Sequence, residues 1–274
     1  MNAFTRHMRN ALKAGASFLN PGLTPVPAPM DARRWLMDAV MPLEDRIMLD
    51  AEPVATIAPA SGLPEVLIGS NFVLDITFDN IPDGDPGSNV GYGPYVDLYI
   101  PHLGKDGGNS DPTDGVDFVG ATYLGASVQS TLLTFDANGQ ATHPFARDSS
   151  GQFRVLTGAP GDQVVVLRLP FGSFTPGQPA VTIAAEFQLS PLADFAPDFS
   201  SADLEFSAQG GFALGRDPNN NPTVDPPILQ PVPDSQTITP ILVGLTKTSD
   251  APRGETATGP NFVHTYTIDV NVAP

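Results

Sequence analysis

The chain has 274 residues, enough for one large domain or two ordinary ones. Its 13 basic and 30 acidic residues give a formal net charge of −17, which disfavours nucleic acids and anionic lipid surfaces as partners. Cysteine is absent, so disulfides and thiolate metal sites are excluded. No run approaches 18 consecutive apolar residues, and we therefore expect no membrane span.

Residues 1–64 are predicted to form a short helical and partly disordered head. A basic amphipathic pattern over 2–19 indicates either a helix or a frayed terminus, and a Pro-rich linker follows at 20–30. Asp31 is a candidate N-cap for a second helix. The Pro- and Ala-rich stretch 52–64 is predicted to be another linker.

Residues 65–216 are predicted to form an antiparallel β-sandwich, Ig-like or jelly-roll-like, in a mainly β protein. The 26 Gly and 30 Pro favour short strands joined by turns, and no helical period separates the apolar runs. Turn signals such as Asn138-Gly139 lie between them. The nearly continuous apolar run Gln163–Leu169 predicts a central strand. The predicted strands span 71–79, 95–100, 119–124, 130–136, 153–157, 162–169, 179–189 and 202–208.

A short repeat predicts a second β-module. EVLIGSNFV at 65–73 and ETATGPNFV at 255–263 both fit E-x-x-x-G-x-N-F-V, and each precedes an alternating run that is typical of a half-buried strand. Residues 217–240, rich in Pro and Asn, are predicted to be a linker, and 241–274 the start of the second, truncated module. We therefore expect this chain to be the front part of a longer modular protein.

Residues 43–51, LEDRIMLDA, resemble the LEPR-XLL motif found near the N-terminus of very large, repetitive bacterial surface or exported proteins. Leu43, Glu44, Arg46 and Leu49 match the pattern, whereas Asp45 replaces its Pro and Met48 replaces a Leu. The segment is interpreted either as a recognition or processing tag or as an amphipathic helix that docks on the first module.

Residues 245–272 resemble the opening of DUF11-type β-sandwich repeats, through TKT followed by GETATGPNFVHTYTI. Together the two resemblances imply a multi-domain, extracellular or cell-surface bacterial protein that is often adhesin-like. They also imply partners among the other modules of the same chain, and a surface glycan or protein as an alternative partner. No cofactor is expected apart from a possible Ca²⁺.

Two loops rich in Asp, Asn and Gly, at 79–89 and 106–117, are the candidate metal sites. Ca²⁺ takes six to eight oxygen ligands from flexible loops, and these residue types supply them. The alternative is that the same residues simply form turns. The candidate ligands are Asp79, Asp83, Asp85, Asp106, Asn109, Asp111, Asp114 and Asp117.

No catalytic pattern stands out, and the four histidines are isolated in the sequence. The favoured hypothesis is a non-enzymatic structural or adhesin-like surface protein. A Ca²⁺- or carbohydrate-binding sandwich is the alternative, in which Tyr92 and Tyr95 either stack on sugars or pack at a sandwich edge. A hydrolase domain of an exported protein is the third hypothesis.

Overall fold

The computed structural model describes residues 51–81, 90–108, 111–195, 202–215, 227–249 and 265–273. Every regular element within these ranges is a β-strand. In chain order the strands are β1 (Glu52–Pro59), β2 (Glu65–Leu67), β3 (Asn71–Ile81), β4 (Gly91–Tyr92), β5 (Pro94–Ile100), β6 (Val116–Tyr123), β7 (Ala126–Ser127), β8 (Gln129–Thr134), β9 (Gln140–Arg147), β10 (Phe153–Thr157), β11 (Gln163–Arg168), β12 (Ser173–Phe174), β13 (Val181–Leu189), β14 (Leu204–Phe212), β15 (Ile228–Leu229), β16 (Asp234–Ile241), β17 (Val243–Ser249) and β18 (Tyr266–Val272).

Two sheets carry most of these strands. Sheet I has the order β1-β3-β13-β6-β7, and sheet II has the order β2-β16-β14-β5-β11-β8 with β15 also paired to β14. Their pairings are antiparallel apart from β2 with β16, which is parallel. A mainly antiparallel β architecture is therefore confirmed.

The core lies between the inner faces of the two sheets. In β3, Leu74, Ile76 and Phe78 alternate with less buried residues and are 0% exposed, which is the face that the sequence predicts. Aromatic rings make contact between the two sheets: the ring centroids of Phe78 in sheet I and Phe212 in sheet II lie 5.6 Å apart, in an edge-to-face arrangement. One contiguous apolar cluster thus holds the two sheets together.

A third layer covers the outer face of sheet II. Strands β9 and β10 form a two-stranded hairpin whose Ala146 and Leu156 pack in one apolar cluster with Val164 and Val166 of β11. Because β11 is covered on both faces and flanked by β5 and β8, its four central residues are all buried. The continuous apolar run that predicts a central strand has this physical origin.

Two stretches predicted as linkers are instead parts of the sandwich. Residues 52–59 form β1, which pairs along its whole length with β3. Within the stretch 217–240, Ile228–Leu229 and Asp234–Ile241 pair with β14 in sheet II. The folded module described here therefore begins before residue 65 and continues past residue 216.

The prolines of β1 favour a linker in the sequence, but their missing N–H groups do not interrupt the hydrogen bonds between β1 and β3. The N–H and C=O of Ala55 point away from β3, as their hydrogen bonds to the Gln230 side chain demonstrate. Pro53 and Pro59 share the parity of Ala55, so their nitrogens also face the outer edge of the strand. An edge strand tolerates proline in this orientation.

Strands β17 and β18 form a separate two-stranded sheet. A strand near 241–248 is predicted, and the structure places it at Val243–Ser249. The second copy of the repeat, at 255–263, lies outside the described residues, as do the head helices and the motif residues Leu43, Glu44, Arg46 and Leu49. Within the described ranges, no helix has the length and apolar character needed to cross a membrane.

Candidate functional site

Three carboxylates converge at one end of the sandwich. Asp106 and Asp114 come from the loop between β5 and β6, and Asp194 comes from the segment after β13. One oxygen of each lies within 4.8 Å of the others, and Asp114 is 1% exposed. We call this group the acidic cluster. Oxygens of this type and number are the ligands that Ca²⁺ takes in proteins.

The loop wraps closely around Asp114. Gly104 has a φ of +70°, a conformation that glycine adopts without strain, and any side chain there would collide with the Asp114 carboxylate. Asp106 Oδ1 accepts a hydrogen bond of 2.8 Å from the Gly108 N–H, which closes a local turn. Glycine and aspartate in this loop therefore form the turn and also direct two carboxylates to one place.

The remaining predicted ligands do not join that group. Asp111 Oδ1 accepts hydrogen bonds from the Thr113 N–H and hydroxyl, which lower the pKa of its carboxyl and give it a turn-forming role. Asp117 lies at the start of β6, with Oδ1 3.2 Å from His102 Nδ1. Asp79 lies within β3 and accepts from the next backbone N–H. Asp83, Asp85 and Asn109 lie outside the described residues.

A second polar cluster is buried between β5 and the β9–β10 hairpin. Asp97 of β5 is 0% exposed and forms an ion pair with Arg154 of β10 through Oδ2. Its Oδ1 lies 3.3 Å from Nε2 of His143, another fully buried side chain. Burial lowers the pKa of His143 to about 4 and raises that of the neighbouring Tyr95 to about 12. His143 is therefore neutral, and Asp97 and Arg154 balance each other's charge.

Tyr95 is unavailable for stacking on a sugar. Its ring is 0% exposed and makes edge-to-face contacts with Phe145 and His143 beneath the β9–β10 hairpin. The ring is packed, but on β5 between β14 and β11, and therefore not at a sandwich edge. The sequence gives no local sign of this burial, because the hairpin that covers the ring lies about fifty residues further along the chain.

The β17–β18 hairpin exposes an apolar face. Because residues opposite each other in a ladder share a face, Val243 and Leu245 lie on the same side as Ile268, Val270 and Val272, and this side also carries Lys247, Ser249 and Tyr266 towards the hairpin's other end. The exposed fractions of the five aliphatic side chains lie between 49% and 70%. We call this surface the hairpin face. The β17 strand also borders a groove of about 890 Å³ that is lined by Leu63 and Phe72 as well.

Comparison with known proteins finds similarity among solved structures only. No known family profile matches it, and no curated protein matches it. Among solved structures, BcpA, the major pilin subunit of Bacillus cereus, is similar with a TM-score of 0.33 and 12% identity, over 81% of this chain and 56% of that chain. The major pilin SpaD of Corynebacterium diphtheriae has a TM-score of 0.34 and 12% identity, over 72% of this chain and 36% of that chain.

An enzyme has a similar score. AvmM, which catalyses macrocyclization in alchivemycin A biosynthesis, has a TM-score of 0.31 and 11% identity, over 69% of this chain and 88% of that chain. Of the two pilins, this chain spans about half the length of the Bacillus protein and about a third of the length of the Corynebacterium protein. At such scores these likenesses carry no argument about function.

Proposed function

We propose that this chain is a non-enzymatic, adhesin-like structural part of a modular bacterial surface or secreted protein. The observation that carries the proposal is the hairpin face, a mainly apolar β-surface on the two strands that directly follow the sandwich. An isolated two-stranded hairpin is marginal in water, and a strand pair gains stability when further strands or another layer cover its apolar face. The hairpin thus fits the role of the first strands of a further module.

The junction between sandwich and hairpin supports the modular proposal. Strand β16 ends at Ile241 in sheet II, and β17 starts at Val243 in a different sheet, so a single residue separates them. So short a connection limits the freedom of one module relative to the next, as a spacer requires. The LEPR-XLL-like segment and the DUF11-like opening belong to the same proposal, with the other modules of the chain as partners.

Localisation in the source bacterium tests the proposal. Antibodies raised against the sandwich, residues 51–241, should label intact, unpermeabilised cells or detect the protein in the culture medium. An antibody against a cytoplasmic enzyme should leave the same cells unlabelled, which controls for lysis. Detection of the sandwich in the cytoplasmic fraction alone would contradict a surface or secreted role.

The acidic cluster supports a second candidate function, Ca²⁺ binding at the end of the sandwich. Two of its carboxylates belong to the loop that composition singles out, and the third arrives from a segment 80 residues after Asp114. Three close carboxylates repel one another in a partly buried setting, and a divalent cation bound between them would offset that repulsion. Water or backbone carbonyls would complete the coordination.

Calcium-dependent melting tests this second function. Chelator-treated protein should melt at a higher temperature in Ca²⁺ at about 1 mM, a concentration that fills typical extracellular sites. Asp194→Asn should abolish the increase because it removes one of the three carboxylates. Asp111→Asn, in the same loop but outside the cluster, should retain it. A melting temperature that Ca²⁺ leaves unchanged would exclude the site.

A further inference from the structure

The β9–β10 hairpin covers an apolar and aromatic surface of sheet II. Tyr95, Val164 and Val166 on that surface are at most 1% exposed, and they pack in one cluster with Ala146 and Leu156 of the hairpin. Among the described strands, β9 and β10 form a sheet of their own and pair with no strand of sheet II. Displacement of the hairpin would therefore expose these side chains to water.

His143 uses one ring nitrogen within the hairpin and the other towards the sheet. Its Nδ1 accepts hydrogen bonds from the Ala146 N–H at 2.7 Å and from the Phe145 N–H at 3.3 Å. Because Nδ1 is an acceptor, the proton of the neutral ring belongs on Nε2. That nitrogen faces Asp97 Oδ1 at 3.3 Å, across the interface between hairpin and sheet.

The bulge in β9 creates this arrangement. The register between β9 and β10 shifts between Phe153, opposite Arg147, and Val155, opposite Thr142. The additional residues turn the N–H groups of Phe145 and Ala146 back towards the His143 ring. A bulge of this kind redirects a side chain and alters the local pairing.

The charged and titratable groups around the His143 ring disfavour a second proton on its Nδ1. Asp97 from β5 is already paired with Arg154 from β10. The ring centroids of Tyr95 and His143 lie 4.9 Å apart. The guanidinium of Arg168, from β11, lies over the Phe145 ring. A proton on Nδ1 would put an N–H against the N–H of Ala146. It would also add a positive charge to a buried site where the existing charges balance. The protonated ring therefore requires water, and water is accessible only if the hairpin moves.

We propose that the β9–β10 hairpin is an acid-released cover with His143 as its latch, so that proton uptake by this histidine lifts the hairpin and uncovers the outer face of sheet II. The neutral ring satisfies two backbone N–H groups and faces Asp97, and the charged ring loses the first of these roles. The released surface would present Tyr95, Tyr99, Val164 and Val166 to solvent.

The pH window follows from the histidine. The pKa of His143 is about 4 in the closed hairpin and 6.5 for an ordinary exposed histidine. Opening therefore takes up a proton between these values, and the closed state loses stability as the pH falls from 6.5 towards 4. The opening equilibrium constant should rise about sevenfold per pH unit in the middle of this window, and about 80-fold in all between pH 6.5 and pH 4.

Hydrogen exchange at the Ala146 amide measures that opening. Its protection factor, corrected for the intrinsic rate at each pH, should fall about sevenfold per pH unit near pH 5, and about 80-fold in all between pH 6.5 and pH 4. It should also stay below the protection factor of the Ile76 amide in sheet I, which exchanges through opening of the whole domain. Equal protection at both amides at every pH would overturn the proposal, since the hairpin would then open only by global unfolding.

His143→Asn is the diagnostic variant. The Asn side-chain oxygen can accept from the Ala146 N–H as Nδ1 does, but it does not titrate. The protection factor of the Ala146 amide should then be independent of pH in this window. In His102→Asn, at a histidine outside the hairpin, that protection factor should depend on pH as it does in the wild type. A wild-type slope that persists in His143→Asn would contradict the latch. If that variant does not fold, the wild-type comparison of Ala146 with Ile76 still decides.

Discussion

Strands β3 and β18 share a sequence pattern and differ in what covers them. With an offset of 190 residues, Ile76 corresponds to Tyr266 and Phe78 to Ile268. In β3 both side chains are 0% exposed, whereas their counterparts in β18 are 55% and 61% exposed. Alternation therefore predicts a strand and the face that it offers, while burial depends on a second layer that alternation does not describe.

The surroundings of the two strands explain the difference. Strand β3 is paired on both edges, with β1 and β13, and its apolar face meets sheet II. Among the residues that the structure describes, strand β18 is paired with β17 alone. The same pattern should thus stabilise the fold strongly in β3 and weakly in β18, which makes the two strands matched tests of each other.

The largest expected effect separates Phe78→Ala from Ile268→Ala. Phe78 is fully buried and makes edge-to-face contacts with Phe174 and Phe212, so its truncation should lower the free energy of unfolding by about 3–5 kcal/mol. Ile268→Ala, at the matched position of the exposed strand, should change it by less than about 0.5 kcal/mol. Urea denaturation of both variants measures the difference. Similar losses would mean that the hairpin face is covered.

A comparable contrast is expected for two cations. Arg154→Met would leave the buried Asp97 carboxylate without its partner and should cost about 3–5 kcal/mol. Lys247→Met, on the β17–β18 hairpin, removes only an exposed ammonium 4.3 Å above the Tyr266 ring and should cost about 0.5–1 kcal/mol. Denaturation at pH 7 tests both, and a cost for Lys247→Met as large as that for Arg154→Met would refute the contrast.

A smaller effect is expected at the outer edge of β1, where a side chain stands in for a neighbouring strand. Gln230 Oε1 accepts from the Ala55 N–H at 2.8 Å and from the Gly210 N–H at 3.0 Å. Gln230→Ala should therefore cost about 1–3 kcal/mol because it leaves buried donors unsatisfied. Gln236→Ala, at a half-buried glutamine of β16 whose side chain bonds only to the neighbouring Thr237 carbonyl, should be nearly neutral. Thermal melts of the two variants measure this difference in stability. Equal melting temperatures would contradict the role of Gln230.

The smallest effect on stability, and a clear one on association, is expected from Ile268→Asp. Ile268 is 61% exposed, so a charge there should scarcely alter the free energy of unfolding. It should, however, weaken any self-association through the hairpin face, because exposed apolar surface drives such contacts. Sedimentation velocity over a range of protein concentrations measures this. An association constant that is unchanged by the charge would place the contact elsewhere.

Local pattern was sufficient to predict much of the sandwich. Strand β3, the alternating β13 and the apolar β11 follow directly from their side-chain periods, and the turn at Asn138-Gly139 has the expected positive φ, +70° at the glycine. Strand β9 was missed because Pro144 lies in its bulge. Strand β1 was missed because its prolines lie on an edge where they cost no ladder bond.

Long-range pairing accounts for the parts of the candidate sites that the sequence does not reveal. Asp106 and Asp114 lie in one loop and were predicted together, but Asp194 joins them only because of how the chain folds back after β13. In the same way, His143 is isolated in the sequence and meets Asp97 only across the interface between hairpin and sheet. No local spacing encodes either meeting.

The exposure of the hairpin face is the central claim, and a soluble paramagnetic probe tests it directly. In a methyl spectrum of this chain, a neutral gadolinium chelate should strongly broaden the δ-methyl signal of Ile268 and leave that of Ile76 sharp. This is the result expected for side chains that are 61% and 0% exposed. Equal shielding of the two methyl groups would contradict the claim, because β18 would then already have a cover.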